Sequence, residues 1–488
     1  MTLPLPTATE LDRLIAGTLM PGFQGLTVPA WIEAALADGL ASVCLYGANL
    51  DTPEQLAALA GRLRSLSPGA LITLDEEGGD VTRLHYLTGS PQPGNAVLGR
   101  LDDEAATASS AALIAAELAG LGLNLDLAPD ADVNSSPQNP VIGSRSFGAE
   151  PELVARHTVA WVSGLQGAGV AACVKHFPGH GDTTADSHLA MPRIDVDLET
   201  LHARELVPFR AAIAAGVATV MTSHILVPAL DPSGPATFSR AILTDLLRDE
   251  LGFEGVIVTD ALDMKGASGE VGIPEAAVRA LIAGADLLCL GSETSPELYA
   301  QVLDAVGLAV REARLPLERL RDAAGRTARL AAAYPAVDDA APAGSVPSAA
   351  TIASAFRLGP AVAGWVCDPA PAAVVQFENE ANMAVGFVPW GAGAAGVPLT
   401  QATAVPSGAK VALVARGLDA AHPAWELASR LEAAGHRVLV TECGWPRNER
   451  PDVVTFGASR AVGEALVLAL GLPAVAETGA AGGGGIQA

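Results

Sequence analysis

The sequence is short of basic side chains, and this shortage excludes whole classes of partner. It holds 29 Lys and Arg against 54 Asp and Glu, which gives a formal net charge of −25. Nucleic acids and anionic membrane surfaces are bound through clustered Lys and Arg. We therefore expect neither a nucleic acid nor a membrane as a partner. Nothing in the charge balance opposes a neutral small molecule.

Cysteines are few, and long apolar runs are missing. The five cysteines are far apart, form no C-x-x-C pair, and are odd in number, so we expect no disulfide framework. No uninterrupted apolar run approaches the length of about 18 residues that a membrane helix needs. The first residues, MTLPLPTATELDRL, lack the basic stretch and apolar core of a secretory signal. We therefore expect a globular protein in the reducing cytoplasm.

Residues 1–334 alternate between short apolar, β-branched runs and Ala- and Leu-rich segments of helical spacing. Eight such alternations predict an α/β fold in which a parallel sheet closes into a (β/α)8 TIM-type barrel. An open, doubly wound sheet is the alternative, but it predicts six strands and a GxGxxG turn after the first, which is absent. The predicted strands lie near 17–23, 41–47, 70–77, 123–129, 170–177, 218–225, 255–261 and 285–291.

The composition changes after the predicted barrel. Residues 335–348, PAVDDAAPAGSVPS, are rich in Pro, Ala, Gly and Asp and predict a linker. The runs GWVCD, AVVQFE, AKVALVARG, HRVLVTECG and DVVTFG then predict short parallel strands, with amphipathic helices between or after them. The sequence therefore predicts a second, smaller, sandwich-like α/β domain over residues 349–488.

Most of the predicted barrel strands end in polar side chains. One charged strand end is explained by a helix cap or a loop ion pair. Several in one barrel meet in one pocket, because the carboxyl ends of all its strands lie on the same face. We therefore predict an active site formed by the strand ends Asp75, Asp126, Lys175 with His176, Ser223 with His224, and Asp260.

The densest polar segment is VKHFPGHGDTTADSHLAMPRID, residues 174–195. Asp186 stands two residues before His188, so a carboxylate–imidazole hydrogen bond can fix the ring's tautomer and raise its pKa, which suits a proton donor and acceptor. A surface ion pair is the ordinary alternative for an isolated D-x-H. Metal binding by the histidines and acids of this loop is another, but their spacing matches no standard zinc pattern, and we predict no metal.

The segment KHFPGHGDTTADSH resembles the signature of glycoside hydrolase family 3, in its β-N-acetylglucosaminidase branch. Four further segments resemble the same family in the expected order: LDEEGGDVTRL (74–84), LAPDADVNSSPQNPVIGSRSFG (127–148), MTSHILVPALDPSGPATFSR (221–240) and LGFEGVIVTDALDMKGA (251–267). The resemblance covers most of the predicted barrel. It implies the hydrolysis, without a cofactor, of terminal non-reducing β-linked N-acetylglucosamine in chitooligosaccharides or cell-wall fragments.

The resemblance also implies three catalytic residues. It makes His188 the general acid/base, Asp186 its partner, and Asp260 in VIVTDALDM the nucleophile. The residues alone agree for Asp260, since an acid after four apolar strand residues is costly to bury unless it faces a polar pocket. A turn-capping aspartate fits Asp263 better. The implied reaction retains configuration: Asp260 forms a glycosyl-enzyme, which water then cleaves with His188 as base.

Five more residues match those that hold the sugar in this family: Asp75, Arg83, Arg145, Lys175 and His176. Charged hydrogen bonds to hydroxyl groups are strong and directional, so such a set would select the stereochemistry of one sugar. Ordinary ion pairing with neighbouring acids is the alternative for the two arginines. The glycine pair of DEEGG predicts a tight turn or a close backbone approach.

One departure from the branch lies in DEEGGDV, which often has an amide at the position of Glu76 and a basic or aromatic residue at that of Asp80. These two acids add negative charge near the expected pocket mouth. We therefore expect the site to disfavour an anionic aglycone unless both side chains point outward.

Three other functions stay open on the sequence. A phosphorylase is one, since an imidazole base does not repel attacking phosphate as a carboxylate would. A β-glucosidase is another, although family 3 members of that kind usually take the acid/base from a Glu elsewhere in the chain, so the D-S-H loop favours the hexosaminidase. A sugar-binding protein on a degenerate barrel predicts loss of the nucleophile or of the Asp–His pair, and all three residues are present.

Overall fold

The computed structural model describes residues 8–183, 191–269, 271–336, 344–378 and 385–473. Each of the eight predicted barrel runs contains a strand, and every residue of these strands is buried. They are β1 (Leu19–Pro21), β2 (Ser42–Cys44), β3 (Leu71–Leu74), β4 (Leu125–Asp126), β5 (Ala171–Phe177), β6 (Thr219–Thr222), β7 (Val256–Val258) and β8 (Leu288–Gly291).

Six of these strands form one parallel sheet in the order β2-β3-β4-β5-β6-β7, and β1 pairs in parallel with β8. A parallel bridge between Val258 and Leu287 links the end of β7 to the residue before β8. The strand order follows the chain order, without the reversal that marks a doubly wound sheet. Consequently the carboxyl ends of β2 to β7 all lie at one edge of the curved sheet.

Helices alternate with these strands and pack their apolar faces on the sheet. Local residues determine where helix α3 begins: Thr52 caps it by accepting a hydrogen bond from Gln55 N, and Pro53 occupies its first position. The helices of this part are α1 (Ala8–Ala16), α2 (Ala30–Ala37), α3 (Pro53–Leu66), α4 (Asn95–Leu101), α5 (Glu104–Gly120), α6 (Pro151–Gly167), α7 (Leu198–Thr200), α8 (Leu206–Ala214), α9 (Lys265–Ser268), α10 (Ile273–Ala283), α11 (Pro296–Arg311) and α12 (Leu317–Ala333), with π-helical segments Leu201–Glu205 and Ala241–Glu250. No helix in the described part of the chain is long and apolar enough to cross a bilayer.

A second sheet follows, with a hydrophobic cluster on each face. Its order is β10-β11-β12-β13-β9, and β9 at the edge runs antiparallel to β13 while the other neighbours are parallel. Its strands are β9 (Arg357–Leu358), β10 (Ala372–Gln376), β11 (Lys410–Ala415), β12 (Val438–Glu442) and β13 (Val453–Val454), and its helices are α13 (Ala349–Ser354), α14 (Ala361–Cys367), α15 (Gly391–Ala394), α16 (Ala424–Ala433) and α17 (Arg460–Leu470).

One predicted strand of this second part is wrong. The run GWVCD lies at the end of α14, where Val362 and Trp365 are buried three residues apart on one helix face. This spacing has the helical period, but the short run hides it because Val362 lies outside the run. Of the predicted linker, residues 337–343 lie outside the described residues.

Candidate active site

A pocket of about 130 Å³ opens at the carboxyl ends of the first sheet. Strands β3, β5 and β7 bring their last residues, or the residues just beyond, to its walls. Six of the predicted site residues line this one pocket: Asp75, Arg83, Arg145, Lys175, His176 and Asp260. The predicted strand-end residues Asp126, Ser223 and His224 are fully buried and are not among the residues that line this pocket. Asp186 and His188 belong to residues 184–190 and lie outside the described residues.

Glu77 is the centre of the charge network in the pocket wall. Its carboxylate accepts two hydrogen bonds from the Arg145 guanidinium, at 2.9 Å from Nε and 2.7 Å from Nη2. Lys175 Nζ lies 2.7 Å from Glu77 Oε1 and 2.6 Å from Asp75 Oδ1. The Glu77 and Lys175 side chains are each 2% exposed, whereas that of Asp75 is 20% exposed. Glu77 is therefore committed to protein cations, and Asp75 faces the pocket.

The mutual attraction of these groups keeps them ionised. Burial opposes charge on Glu77, but Arg145 and Lys175 outweigh it and hold the pKa of Glu77 well below the ordinary value of a glutamate. Burial likewise opposes charge on Lys175, but Asp75 and Glu77 raise the pKa of the ammonium above its ordinary value. The pocket therefore presents fixed cations near neutral pH.

His176 is oriented by a buried carboxylate. Its Nδ1 lies 2.8 Å from Asp132 Oδ2, which leaves Nε2 on the side of Arg145 Nη2, 3.4 Å away. Asp130, Asp132 and His176 each have an oxygen or nitrogen atom of the kind that binds metal ions, and these atoms lie within 4.8 Å of one another. The backbone N–H of Asp132 also donates to Asp130 Oδ1 at 2.9 Å, which holds the two aspartates next to each other. The hydrogen bond to the Asp132 carboxylate fixes the direction of the His176 imidazole.

Arg83 reaches the pocket from a loop that Glu76 organises. Glu76 Oε2 accepts hydrogen bonds from Thr82 Oγ1 at 2.9 Å, Arg83 N at 2.8 Å and Leu84 N at 2.9 Å. The expectation of negative charge from Glu76 at the pocket mouth is therefore wrong, since its carboxylate is 1% exposed and turned into its own loop. The Arg83 guanidinium in turn donates to the carbonyl of Val385, at 3.4 Å, in the second part of the chain.

Asp80 is likewise turned away from the pocket, and the expectation for it is also wrong. Its carboxylate accepts from Ser144 Oγ at 2.6 Å, from Arg416 Nη2 at 2.8 Å and from Ala458 N at 2.8 Å. Arg416 and Ala458 belong to the second part, so Asp80 joins the two sheets. The glycine pair before it makes this path feasible: Gly79 has a φ of +70°, and a Cβ there would lie 2.4 Å from the Cα of Gly94.

Asp260 stands two residues beyond β7, at the wall of the pocket. Its Oδ1 accepts a hydrogen bond from Ala261 N at 2.7 Å. Asp263, the turn-capping alternative, also lines the pocket and is exposed. Its carboxylate lies against Gly291, whose φ of +99° is a conformation that favours glycine at the end of β8.

Four residues that line or support this pocket were not predicted from the sequence. Tyr46 and Cys289 line it, with the tyrosine hydroxyl 3.1 Å from the sulfur. His180 lines it too, and burial lowers its pKa to about 4, against the opposing pull of Asp132, so the ring is neutral near pH 7. His180 lies in the motif KHFPGHGD, but the sequence suggested only a metal-binding role for it, and no metal was predicted. Glu77 had a signal as well, because it is the third acid in a row after a strand.

The sequence matches the glycosyl hydrolase family 3 N terminal domain over residues 27–330. It is 37% identical over 302 residues to a β-hexosaminidase of Alkalilimnicola ehrlichii, covering 60% of this chain and 86% of that one. It is 36% identical over 317 residues to β-hexosaminidase A of Pseudoalteromonas piscicida, covering 60% of this chain but only 53% of that longer relative. A glycoside hydrolase family 3 β-N-acetylglucosaminidase from Paenibacillus sp. str. FPU-7 superposes with a TM-score of 0.82 at 30% identity, over 96% of this chain and 98% of that one.

Proposed function

Because the chain belongs to glycosyl hydrolase family 3, a family of glycoside hydrolases, we propose that it releases terminal non-reducing β-linked N-acetylglucosamine with retention of configuration. The substrates are chitooligosaccharides or peptidoglycan fragments. One observation carries the proposal: Asp260 and the five predicted sugar-binding residues, far apart in the sequence, line a single pocket. The names of the relatives, β-hexosaminidase and β-N-acetylglucosaminidase, support the same sugar.

The proposal includes a closed (β/α)8 barrel over residues 1–334 and a separate α/β domain over 349–488. The pairing of β1 with β8 and the bridge between β7 and β8 support closure, since they join the two ends of the strand series. The hydrophobic cluster on one face of the second sheet comes entirely from residues after 374, which supports a separate domain, while the cluster on the other face also includes Ala96 and Val97 of α4. In a closed barrel the pocket lies at the carboxyl-terminal face, where catalytic residues of this architecture occur.

In the first chemical step, a carboxylate oxygen of Asp260 attacks the anomeric carbon while the bond to the leaving oxygen breaks. His188 donates its proton to that oxygen, so the aglycone leaves as an alcohol. In the second step, water attacks the anomeric carbon of the glycosyl-enzyme and His188 takes a proton from the water. The Asp260 carboxylate is released, and the two displacements together retain configuration. Asp186 keeps the imidazole in the tautomer that these transfers need.

The buried charges explain how the pocket would grip the sugar. Lys175 and Arg145 are held by Glu77 before any ligand arrives, so little conformational entropy is lost when they donate to hydroxyl or acetamido oxygens. Asp75, being the most exposed member of the network, accepts from sugar hydroxyls. His176, fixed by Asp132, adds a directed ring nitrogen.

The test is a comparison of Asp260→Asn with Asp263→Asn on an aryl N-acetyl-β-D-glucosaminide. Both acids line the pocket on the same loop, so they share position and charge but differ in the proposed role. We expect Asp260→Asn to lower kcat by about 10³-fold or more, because no covalent intermediate forms, and Asp263→Asn to retain most activity. Full activity in Asp260→Asn refutes the mechanism. Product analysis should find free N-acetylglucosamine, in the β configuration at first.

A further inference from the structure

The side chain of Asn139 joins two pocket-lining loops that follow different strands. It lies in the loop after β4 that leads to Arg145, and it is 5% exposed. Its Oδ1 accepts hydrogen bonds from the N–H groups of Val141 and Ile142, both at 2.9 Å. Val141 and Arg145 both line the pocket. The acceptor half of this amide therefore shapes the turn that presents one of the proposed sugar-binding arginines.

The donor half of the same amide reaches the loop after β5. Asn139 Nδ2 donates to the carbonyls of His180, at 2.8 Å, and Gly181, at 3.0 Å. It also lies 3.3 Å from the hydroxyl oxygen of Thr183. His180 lines the pocket, four residues after the proposed sugar-binding His176. Since N–H groups face one end of the side chain and carbonyls face the other, an amide satisfies both loops and an ionised carboxylate does not.

We propose that Asn139 is a positioning residue for sugar binding: by tying the Arg145 turn to the His180 loop, it sets the spacing between two walls of the pocket. The inference rests on the proposed function, because it assumes that Arg145 and His176 hold the sugar. Asp132 makes a second link between the same loops by accepting from His180 N at 2.6 Å. The loops therefore keep a connection when Asn139 is changed, and the disturbance stays local.

Asn139→Asp is the variant that separates positioning from general stability. Asn139→Asp keeps the shape of the side chain and the oxygen that accepts from Val141 N and Ile142 N. It replaces the NH2 group by a carboxylate oxygen that faces the carbonyl oxygens of His180 and Gly181. At pH 7 we expect the affinity for N-acetylglucosamine, measured by calorimetry, and 1/KM for the aryl glycoside to fall by about 10- to 100-fold, with a smaller change in kcat. A protonated carboxyl donates one hydrogen bond, so the ratio of variant to wild-type affinity should rise as the pH is lowered.

Two further variants complete the test. Asn139→Ala removes both halves of the link and should lose affinity equally at every pH. Gln138→Ala is the matched control. Gln138 is the residue before Asn139, but its side chain is exposed and donates to Arg447 O at 3.1 Å instead of to the His180 loop. It should bind and cleave as the wild type does.

Two results separate the failure of this inference from that of the proposed function. In the first, the wild type is active, and the two variants Asn139→Asp and Asn139→Ala are folded and bind the sugar as tightly as the wild type does. If the ratio of variant to wild-type affinity also does not change with pH, Asn139 has no positioning role. If the wild type neither binds N-acetylglucosamine nor cleaves the glycoside, the proposed function fails, and this inference falls with it.

Discussion

Replacing Glu77 by glutamine removes the one negative charge that Arg145 and Lys175 share. The change is nearly isosteric, so it perturbs charge more than packing. Glutamine retains one acceptor oxygen, but its NH2 group then points at a guanidinium or ammonium donor. Lys175 keeps Asp75 at 2.6 Å, while Arg145 keeps the carboxylate of Asp130 at 3.8 Å and a hydrogen bond to the Val141 carbonyl at 3.4 Å. The variant therefore leaves two buried cations with less than their native compensation.

The magnitude follows from the burial of the network. Side chains that are 2% and 7% exposed are poorly screened by water, and breaking such a buried pair by removing one partner costs about 3–5 kcal/mol. We therefore expect Glu77→Gln to lower the free energy of unfolding by about that amount. We also expect KM for an aryl N-acetylglucosaminide to rise, because each proposed sugar-binding cation loses one of the carboxylates that hold it in place.

Urea denaturation followed by circular dichroism measures this loss, and Glu33→Gln provides the control. Glu33 Oε1 accepts from Arg62 Nε at 2.9 Å and from Nη2 at 2.7 Å, so the same two guanidinium atoms donate at the same distances as in the Glu77–Arg145 pair, but to one oxygen instead of two. The Arg62 and Glu33 side chains, however, are 52% and 35% exposed, so the change should cost about 0.5 kcal/mol or less. If both variants unfold at the same urea concentration, burial does not govern the strength of the Glu77 network and the reasoning is refuted.

The difference in stability between the wild type and Glu77→Gln should depend on pH, and the pKa of Glu77 gives the direction of that dependence. The pKa of Glu77 in the folded state is lowered from the ordinary value of 4.5 by Arg145 and Lys175, against the effect of burial. A depressed pKa contributes stability that is complete above the unfolded value and is lost as the pH falls toward the folded value. The stability difference between wild type and Glu77→Gln should be constant from pH 7 to about 5 and shrink below about 4.5. A difference that grows in acid contradicts the assigned direction of the pKa.

Two further predictions concern Glu76 and Arg416. Glu76→Gln should be as active as the wild type and equally or slightly more stable at pH 7, because one oxygen already accepts all three loop hydrogen bonds and burial raises the pKa of the carboxyl. Urea midpoints should show that any gain disappears at pH 4, where the wild-type carboxyl is protonated as well; a gain that persists there rules out charge burial. Arg416→Ala should cost about 1–3 kcal/mol and raise KM, because it removes one of the links from Asp80 to the second sheet. The exposed pair of Arg460 and Glu464 gives the control, so a loss no larger than that of Glu464→Ala contradicts the claim.

The strands and the gathering of polar strand ends could be predicted because both depend on short-range patterns. Apolar runs of four to eight residues, separated by helical segments, mark the strands whatever their partners are. An aspartate or lysine at the end of such a run reaches the common edge of a parallel sheet, as Asp75, Lys175 and Asp260 do. Arg83 and Arg145 come from loops, and the resemblance to a family, not the pattern, pointed to them.

The errors arose where side-chain direction depends on contacts distant in sequence. The run GWVCD is apolar enough for a strand, but it is the end of a helix whose buried Trp365 donates to the carbonyl of Arg437, 72 residues later. Asp80 was expected at the pocket mouth, but its partners Arg416 and Ala458 lie more than 300 residues later. No local pattern encodes such a partner, so the path of the DEEGGD loop could not be read from its own residues.

Burial assigns different tasks to three consecutive acids after β3. Asp75, 20% exposed at its side chain, meets the pocket and has room for a ligand. Glu76, 1% exposed, holds the loop that carries Arg83. Glu77, also 1% exposed, holds Arg145 and Lys175. The sequence shows three equivalent carboxylates, yet only the one that water reaches is exposed enough to meet the proposed sugar. Substitutions should therefore separate them: Asp75→Asn should impair activity and cost less stability than Glu77→Gln, Glu77→Gln should impair both strongly, and Glu76→Gln should impair neither.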